Sequence, residues 1–205
     1  RNLLGQAHSN KVLFDWVLAD NWFGSKENLE YINNVIKKKF IIGIKSNRTV
    51  ALSEKEKLKG DFTKVSKLDL EDGQSIKVWV KGIDFALQII KKVFTNEDGS
   101  IGVLYIISND LKHGADYLYM IYQKRWKIEL YHKSIKQNAS LAASPTKRVL
   151  SQANHIFSSL VAFCKLELLK IKTAANHFAI KHLLLLKANQ AAFLELQNLK
   201  NSSSA

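Results

Sequence analysis

Cysteine is almost absent from this sequence, which contains a single one, Cys164. One thiol excludes any disulfide within the chain, which favours a reducing compartment. The six histidines are scattered, so no Cys and His pairs occur at the spacing of a zinc site. Cys164 lies in the apolar helical pattern FSSLVAFCKL, and this pattern predicts a buried core thiol.

Long apolar runs are also missing. No stretch approaches the roughly 20 apolar residues that a membrane-spanning helix needs, and the first residues do not resemble a signal peptide. We therefore expect a cytoplasmic protein without a membrane partner. A glycine-rich phosphate loop and internal repeats are absent as well. The sequence begins with Arg1 rather than Met, in what resembles the end of a helix, so we expect a piece of a longer protein.

Acidic residues are scarce relative to basic ones. The chain has 18 Asp and Glu against 31 Lys and Arg, which leaves a net charge of +13. This excess favours a polyanionic partner, with nucleic acid as the first candidate and a generic basic surface as the alternative. With 46% hydrophobic residues in 205, the chain can bury the core of one large domain or two small ones.

The first part of the chain has the pattern of a parallel strand pair. Residues 12–19 are almost continuously apolar, which is typical of a central strand covered on both faces, and this strand ends at Asp20. Ser25 is a plausible N-cap for a helix that runs to about Lys39, and a second buried strand is predicted at residues 40–44. Strand, helix and strand with short joints predict a right-handed crossover.

Residues 48–109 show short β-like runs separated by turn signals. We predict an antiparallel meander with strands near residues 62–70, 75–81, 85–94 and 101–107. Ile76, Val78 and Val80 alternate with Lys77, Trp79 and Lys81. Alternate residues of a strand share a face, so the Trp79 indole lies between two lysines on one face of the sheet. This face is a candidate nucleic-acid contact. The alternative is that Trp79 packs on a neighbouring element while the lysines extend to solvent.

The segment from Tyr122 to Asn138, YQKRWKIELYHKSIKQN, carries a polar stripe. It is predicted to belong to one helix that begins near Asp116. At roughly 100° per residue, four polar side chains fall within an arc of about 60°: Tyr122, Arg125, Glu129 and Lys136. The apolar residues Ile121, Ile128 and Ile135 lie about a quarter-turn away, so the helix can pack while its polar stripe faces a cleft.

After this helix the sequence predicts a loop at residues 139–146, which contains the only proline, Pro145. Two amphipathic segments follow, at residues 147–172 and 174–198, and the short joint between them predicts a helical hairpin. Residues 202–205 are expected to fray.

Two carboxylates are candidate metal ligands. Asp20 ends a buried parallel strand, where open α/β sheets place ligand sites, although a turn or cap role is the commoner explanation. Glu129 alternatively forms only an i,i+4 pair with Arg125. Together, a strand carboxylate and a helix carboxylate on a basic scaffold can share magnesium with nucleic-acid phosphates, as in two-metal phosphoryl transfer. Arg125 and Lys136 would neutralise phosphate charge, while Tyr122 would bind a phosphate or position a neighbouring group.

The spacing of the stripe, Tyr122-x2-Arg125-x3-Glu129-x6-Lys136, resembles the Tyr-Arg-Glu-Lys signature of bacterial insertion-sequence DDE transposases, in the IS4-like and Tn5-like group. Independently, VLADNWF at residues 17–23 resembles the segment that carries the second catalytic aspartate of these enzymes. KSNRTV and YHKSIKQNASLAASPTKRV are also similar to that family, so the resemblance covers nearly the whole chain.

The resemblance implies a ribonuclease-H-like catalytic domain with a β-rich insertion between the second aspartate and the glutamate. It implies that Asp20 and Glu129 are catalytic ligands of Mg²⁺ or Mn²⁺. It also implies that Tyr122, Arg125 and Lys136 contact transposon-end DNA. Relatives hold a flipped base on an aromatic residue of the insertion, for which Trp79 is the candidate, because an indole stacks on any base.

A third acid is expected in this family, on a first strand that the sequence does not contain. Asp15 does not replace it, because it lies five residues before Asp20 on the same predicted strand and faces the opposite way. We therefore expect a catalytically incomplete part of a transposase, which binds DNA without cleaving it efficiently. Alternatively, the chain is a non-catalytic DNA-binding or oligomerising fragment that modulates a full-length transposase. A structural helical protein with a chance motif would place Asp20 and Glu129 far apart.

The predicted fold class is α/β, in a mixed α+β form. Residues 1–47 and 110–145 would form a partial ribonuclease-H-like core, residues 48–109 a β-rich insertion and residues 146–205 a C-terminal helical hairpin. The expected partners are double-stranded DNA, as transposon ends and target, and a second copy in the full-length protein. The expected location is the bacterial cytoplasm, with nucleoid association when DNA is bound.

Overall fold

A seven-stranded mixed sheet organises the first part of the chain in the computed structural model, which describes residues 1–144 and 146–202. Its strands are β1 (Trp16–Ala19), β2 (Lys39–Gly43), β3 (Thr49–Ala51), β4 (Thr63–Lys64), β5 (Ser75–Val80), β6 (Leu87–Thr95) and β7 (Ile101–Ser108). Their order across the sheet is β1-β2-β7-β6-β5-β3-β4. The chain divides into two compact units, one from Arg1 to Arg125 and one from Trp126 onward.

The predicted parallel pair is confirmed, since Val17 of β1 lies opposite Phe40 of β2 in parallel register. Between them, Ser25 caps α2 (Lys26–Glu30), which continues as a π-helical segment (Tyr31–Ile36). The first strand is shorter than predicted. Helix α1 (Asn2–Ser9) precedes it, and the Val12 N–H donates a hydrogen bond to the Ala7 carbonyl oxygen of this helix at 3.0 Å, so Val12 is not available to the sheet.

The predicted meander is confirmed for β5, β6 and β7, which pair in antiparallel succession. β7 also pairs antiparallel with β2, so the strands of the predicted insertion continue the sheet of β1 and β2. The prediction of a strand at residues 62–70 is wrong. Only Thr63–Lys64 pair with a strand, namely β3, and a 3₁₀ turn (Val65–Lys67) follows, in which Val65 is buried. β3 and α3 (Glu54–Lys59) were not predicted.

Both faces of the sheet are covered, because neighbouring residues of a strand point to opposite sides. On one face, Leu29 and Ile32 pack in a buried cluster with Phe40 and other residues of the sheet. On the other face, Leu118 of α4 (Ala115–Gln123) belongs to a second cluster that includes Ile41. The sheet is therefore sandwiched between helices within the first unit.

The helix predicted as continuous through residues 122–138 is divided. α4 ends at Gln123, a 3₁₀ turn covers Lys124–Trp126, and α5 (Lys127–Asn138) follows. A 3₁₀ turn advances about 120° per residue instead of about 100°, so a single helical stripe does not run through it. The boundary between the two units falls within this turn.

The second unit consists of α5, α6 (Val149–Thr173) and α7 (His177–Ser202), and the predicted hairpin of the last two is confirmed. Residues 139–144 and 146–148 are non-helical, in agreement with the predicted loop, while Pro145 and residues 203–205 lie outside the described residues. Cys164 is exposed rather than buried. α6 turns Phe163 toward Tyr131 and His177, and the next residue points about 100° away. In the part of the chain that the structure describes, no helix is both long and apolar enough to cross a bilayer.

Candidate active site

Asp20 lies where the sequence predicts it, directly after β1 at the carboxyl end of the parallel pair. Its carboxylate is exposed and caps the following turn (Asn21–Phe23), since Oδ1 accepts the Trp22 N–H at 2.9 Å. The turn rests directly on β2. A Cβ added to Gly43 would lie 2.8 Å from the Asn21 nitrogen, so only glycine permits this approach. The turn that follows Asp20 is therefore held against β2 by close backbone packing.

Tyr122 and Arg125, at the end of α4 and in the turn after it, belong to the same unit as Asp20. The Tyr122 side chain is buried rather than exposed on a stripe. Burial raises the pKa of Tyr122, and the negative charge of Asp20 adds to this increase. The positive charge of Arg125 and its hydrogen bond to the phenol lower the pKa and so oppose the increase. The Arg125 guanidinium lies 5.7 Å from the centroid of the Tyr122 ring. The Tyr122 phenol therefore lies within range of both the Arg125 and the Asp20 charge.

Glu129 and Lys136 lie on α5, in the second unit. Both side chains are exposed. Glu129 is in the first turn and Lys136 in the last turn of this helix, the ends at which the helix dipole favours a negative and a positive charge respectively. The dipole therefore explains their signs, and their roles toward metal and DNA stay predictions.

The face of β5 predicted to contact nucleic acid has the predicted alternation. Val78 and Val80 are buried, while Lys77 and Lys81 are exposed and Trp79 is half-buried. The Lys77 ammonium lies 4.9 Å from the centroid of the Trp79 ring, and the Lys81 ammonium lies 5.7 Å from the centroid of the Phe62 ring. Each lysine therefore covers an aromatic ring in a cation–π arrangement. This arrangement is expected both for a nucleic-acid contact and for lysines that only stabilise the fold.

The donor chemistry of the two carboxylates suits magnesium, which takes oxygen ligands. However, Asp20 and Glu129 are only two ligands, which is fewer than a complete metal site needs. Within residues 1–144 and 146–202, no group of three or more His, Cys, Asp or Glu side chains is arranged to hold a metal ion. The prediction that Asp15 lies on the strand that leads to Asp20 is wrong, because β1 begins at Trp16; the Asp15 side chain is exposed.

One charged cluster was not predicted. Asp110, after β7, is buried, and its Oδ2 lies 2.8 Å from the Lys39 ammonium and 2.6 Å from His113 Nδ1. Lys39 opens β2, so this cluster lies at the end of the parallel pair opposite to Asp20. The spacing SNDLKH at residues 108–113 signals a local turn. The partner 71 residues earlier leaves no local signal in the sequence.

A mixed sheet covered by helices, with an exposed acid at the carboxyl end of a parallel strand, defines an α/β domain of ribonuclease-H-like layout. The family model described as "Transposase DDE domain" matches residues 1–164 of the 205, so the chain belongs to this family. No curated protein matches the chain. Family membership confirms the predicted fold class and, at the level of the family, the predicted transposase role and DNA substrate.

Proposed function

We propose that this chain is the C-terminal part of an insertion-sequence transposase of the IS4-like and Tn5-like group. The full-length enzyme would perform cut-and-paste transposition by phosphodiester hydrolysis and strand transfer. The observation that carries the proposal is the exposed carboxylate of Asp20 directly after β1, in the same unit as Arg125, whose guanidinium lies 5.7 Å from the centroid of the Tyr122 ring.

Asp20 and Glu129 would hold Mg²⁺ or Mn²⁺ through carboxylate oxygens. When bound, such ions would supply two-metal chemistry, in which one ion activates the attacking hydroxyl or water and the other stabilises the leaving oxygen. Arg125 would bind a phosphate through its planar fork, whereas Lys136 would neutralise charge as a flexible point charge. Tyr122 would orient Arg125 through the phenol. Trp79, flanked by Lys77 and Lys81, would hold a flipped base of the transposon end.

These 205 residues would supply two of the three acids that such an enzyme needs. We therefore expect the chain alone to bind double-stranded DNA without cleaving it efficiently. The predicted three-part division, with an insertion at residues 48–109, would place the flipped-base contact in the insertion and the metal ligands in the core. In the cell the bacterial protein would be cytoplasmic and would associate with the nucleoid when bound to DNA.

The test is cleavage of a transposon-end duplex in Mg²⁺ by the chain extended with its upstream coding sequence. We expect the extended protein to nick the duplex and the 205-residue chain to leave it intact. D20N and E129Q in the extended protein should each abolish nicking while DNA binding persists, because each removes a metal ligand without removing a DNA-binding cation. As a control, E97Q changes an exposed glutamate of a turn and should retain activity. Nicking that survives D20N would disprove the assignment.

The second candidate function is a non-catalytic fragment that binds DNA or oligomerises and so modulates a full-length transposase. The exposed apolar residues of α7 favour it. Both functions require DNA binding that weakens steeply with salt. They differ in cleavage: an extended protein that binds transposon ends and never nicks them supports the modulator.

A further inference from the structure

We propose that Trp22 is a stacking platform for an unpaired nucleobase beside Asp20, with Lys45 and Arg48 binding the adjoining phosphates. This proposal rests on the proposed function, because it assumes a DNA strand at Asp20. It adds a positioning contact for that strand in the Asn21–Phe23 turn, separate from the Trp79 face of β5.

The first observation is the exposure of the indole. Trp22 is 79% exposed, and the next residue, Phe23, is 53% exposed. A tryptophan normally buries most of its large apolar area in a folded chain. Two adjacent aromatic side chains presented to solvent therefore indicate a surface used for binding.

The second observation is the position of residue 22 relative to the carboxylate. The backbone N–H of Trp22 donates to Asp20 Oδ1 at 2.9 Å, so the backbone that carries the indole is joined directly to the candidate metal ligand. The Asn21–Phe23 turn is packed directly against the Gly43 backbone at the end of β2, so it cannot move further toward the sheet. A base stacked on Trp22 would hold its own strand next to Asp20 with little freedom to move away.

The third observation is positive charge on the same side. A cleft of about 190 Å³ opens between residues 21–25 and 43–48, and both Lys45 and Arg48 line it together with Trp22. The Lys45 ammonium lies over one face of the indole ring, 5.9 Å from its centroid, so a base would stack on the opposite face. An aromatic face with flanking cations matches single-stranded DNA, in which each base is followed by a phosphate.

The experiment compares two probes with the 205-residue chain. Both are duplexes with a four-nucleotide single-stranded extension, one of thymidines and one of abasic residues. We expect wild type to bind the thymidine probe about tenfold more tightly, which is within the range of base–aromatic stacking. Both variants are made in a W79A background, so that the base contact proposed for β5 is absent. There, W22A should remove this preference, whereas W22F should keep part of it. K45A should weaken both probes equally and lower the salt dependence by about one released counterion.

F157A, which truncates an exposed aromatic residue of α6, is the matched control and should keep the full preference for thymidine. Circular dichroism and thermal unfolding verify that each variant is folded. Equal binding of both probes by wild type, or a preference that survives W22A, would overturn the stacking proposal while DNA binding itself stands. Absence of binding to either probe would instead overturn the proposed function.

Discussion

At the scale of single residues, Asp110 shows how strongly a buried charge depends on its partners. Burial alone would raise the pKa of Asp110, but hydrogen bonds from Lys39, the Lys112 N–H and His113 outweigh it and hold the pKa well below its usual range. The ionised carboxylate therefore joins the start of β2 to the segment between β7 and α4. Loss of the Asp110 carboxylate would remove the hydrogen bond that holds the Lys39 ammonium at 2.8 Å.

We expect D110N to lower the free energy of unfolding by about 1–3 kcal/mol at pH 7, because it removes charge-assisted hydrogen bonds from a buried position. A carboxyl group with a depressed native pKa stabilises the fold above its unfolded pKa, near 3.9, and this contribution is lost as the pH falls toward the native pKa. The difference between wild type and D110N should therefore shrink below about pH 4.

Urea denaturation at several pH values measures this difference. D116N is the matched control, because the Asp116 carboxylate is almost fully exposed and lies 3.9 Å from Lys92, a distance at which a surface pair contributes little. If D110N and D116N destabilise the protein equally, the Asp110 cluster has no special role in stability.

At the scale of elements, a buried histidine joins the three helices of the second unit. His177, at the start of α7, shares a 2.7 Å hydrogen bond between Nδ1 and Ser134 Oγ of α5. Its Nε2 lies 3.2 Å from Glu167 Oε1 of α6, and its ring packs edge-on against Phe163, with 5.2 Å between the centroids. One imidazole thus contacts both neighbouring helices.

We expect H177A to lower the free energy of unfolding by about 1–3 kcal/mol, because it leaves the buried Ser134 hydroxyl without this partner and opens a void beside Phe163. H182A removes an exposed histidine of the same helix and should change stability by no more than about 0.5 kcal/mol. Thermal unfolding of the two variants compares them directly. A loss in H182A as large as that in H177A would contradict the role of His177.

At the scale of the whole molecule, the sequence was sufficient for elements with a strong period and insufficient for contacts between distant residues. β5 to β7 and the α6–α7 hairpin follow from alternating or helical patterns. Asp20 was found at its strand end because a buried strand followed by an acid is a local signal. The burial of Tyr122 and the Asp110 cluster depend on residues far away in the sequence. The strand predicted at residues 62–70 is absent, because the apolar spacing of this segment also suits a 3₁₀ turn.

α7 of the second unit carries many exposed apolar side chains. Its outward side chains include several large ones that are about half or more exposed: Leu183, Leu184, Leu185, Leu186, Phe193, Leu194, Leu196 and Leu199. A helix that is apolar on more than one side is normally covered by another protein surface. In line with the second copy expected as a partner of the full-length protein, we propose that this surface binds a second copy of the chain.

We expect the chain to self-associate with increasing concentration, and we expect the double variant L186K/F193K to remain monomeric, because two lysines on α7 would have to be desolvated in the contact. Sedimentation velocity over a range of protein concentrations measures this. L58K, which places a lysine at an isolated exposed leucine of α3, is the matched control and should associate like wild type. A wild-type chain that stays monomeric at every concentration would show that α7 is covered by a different surface.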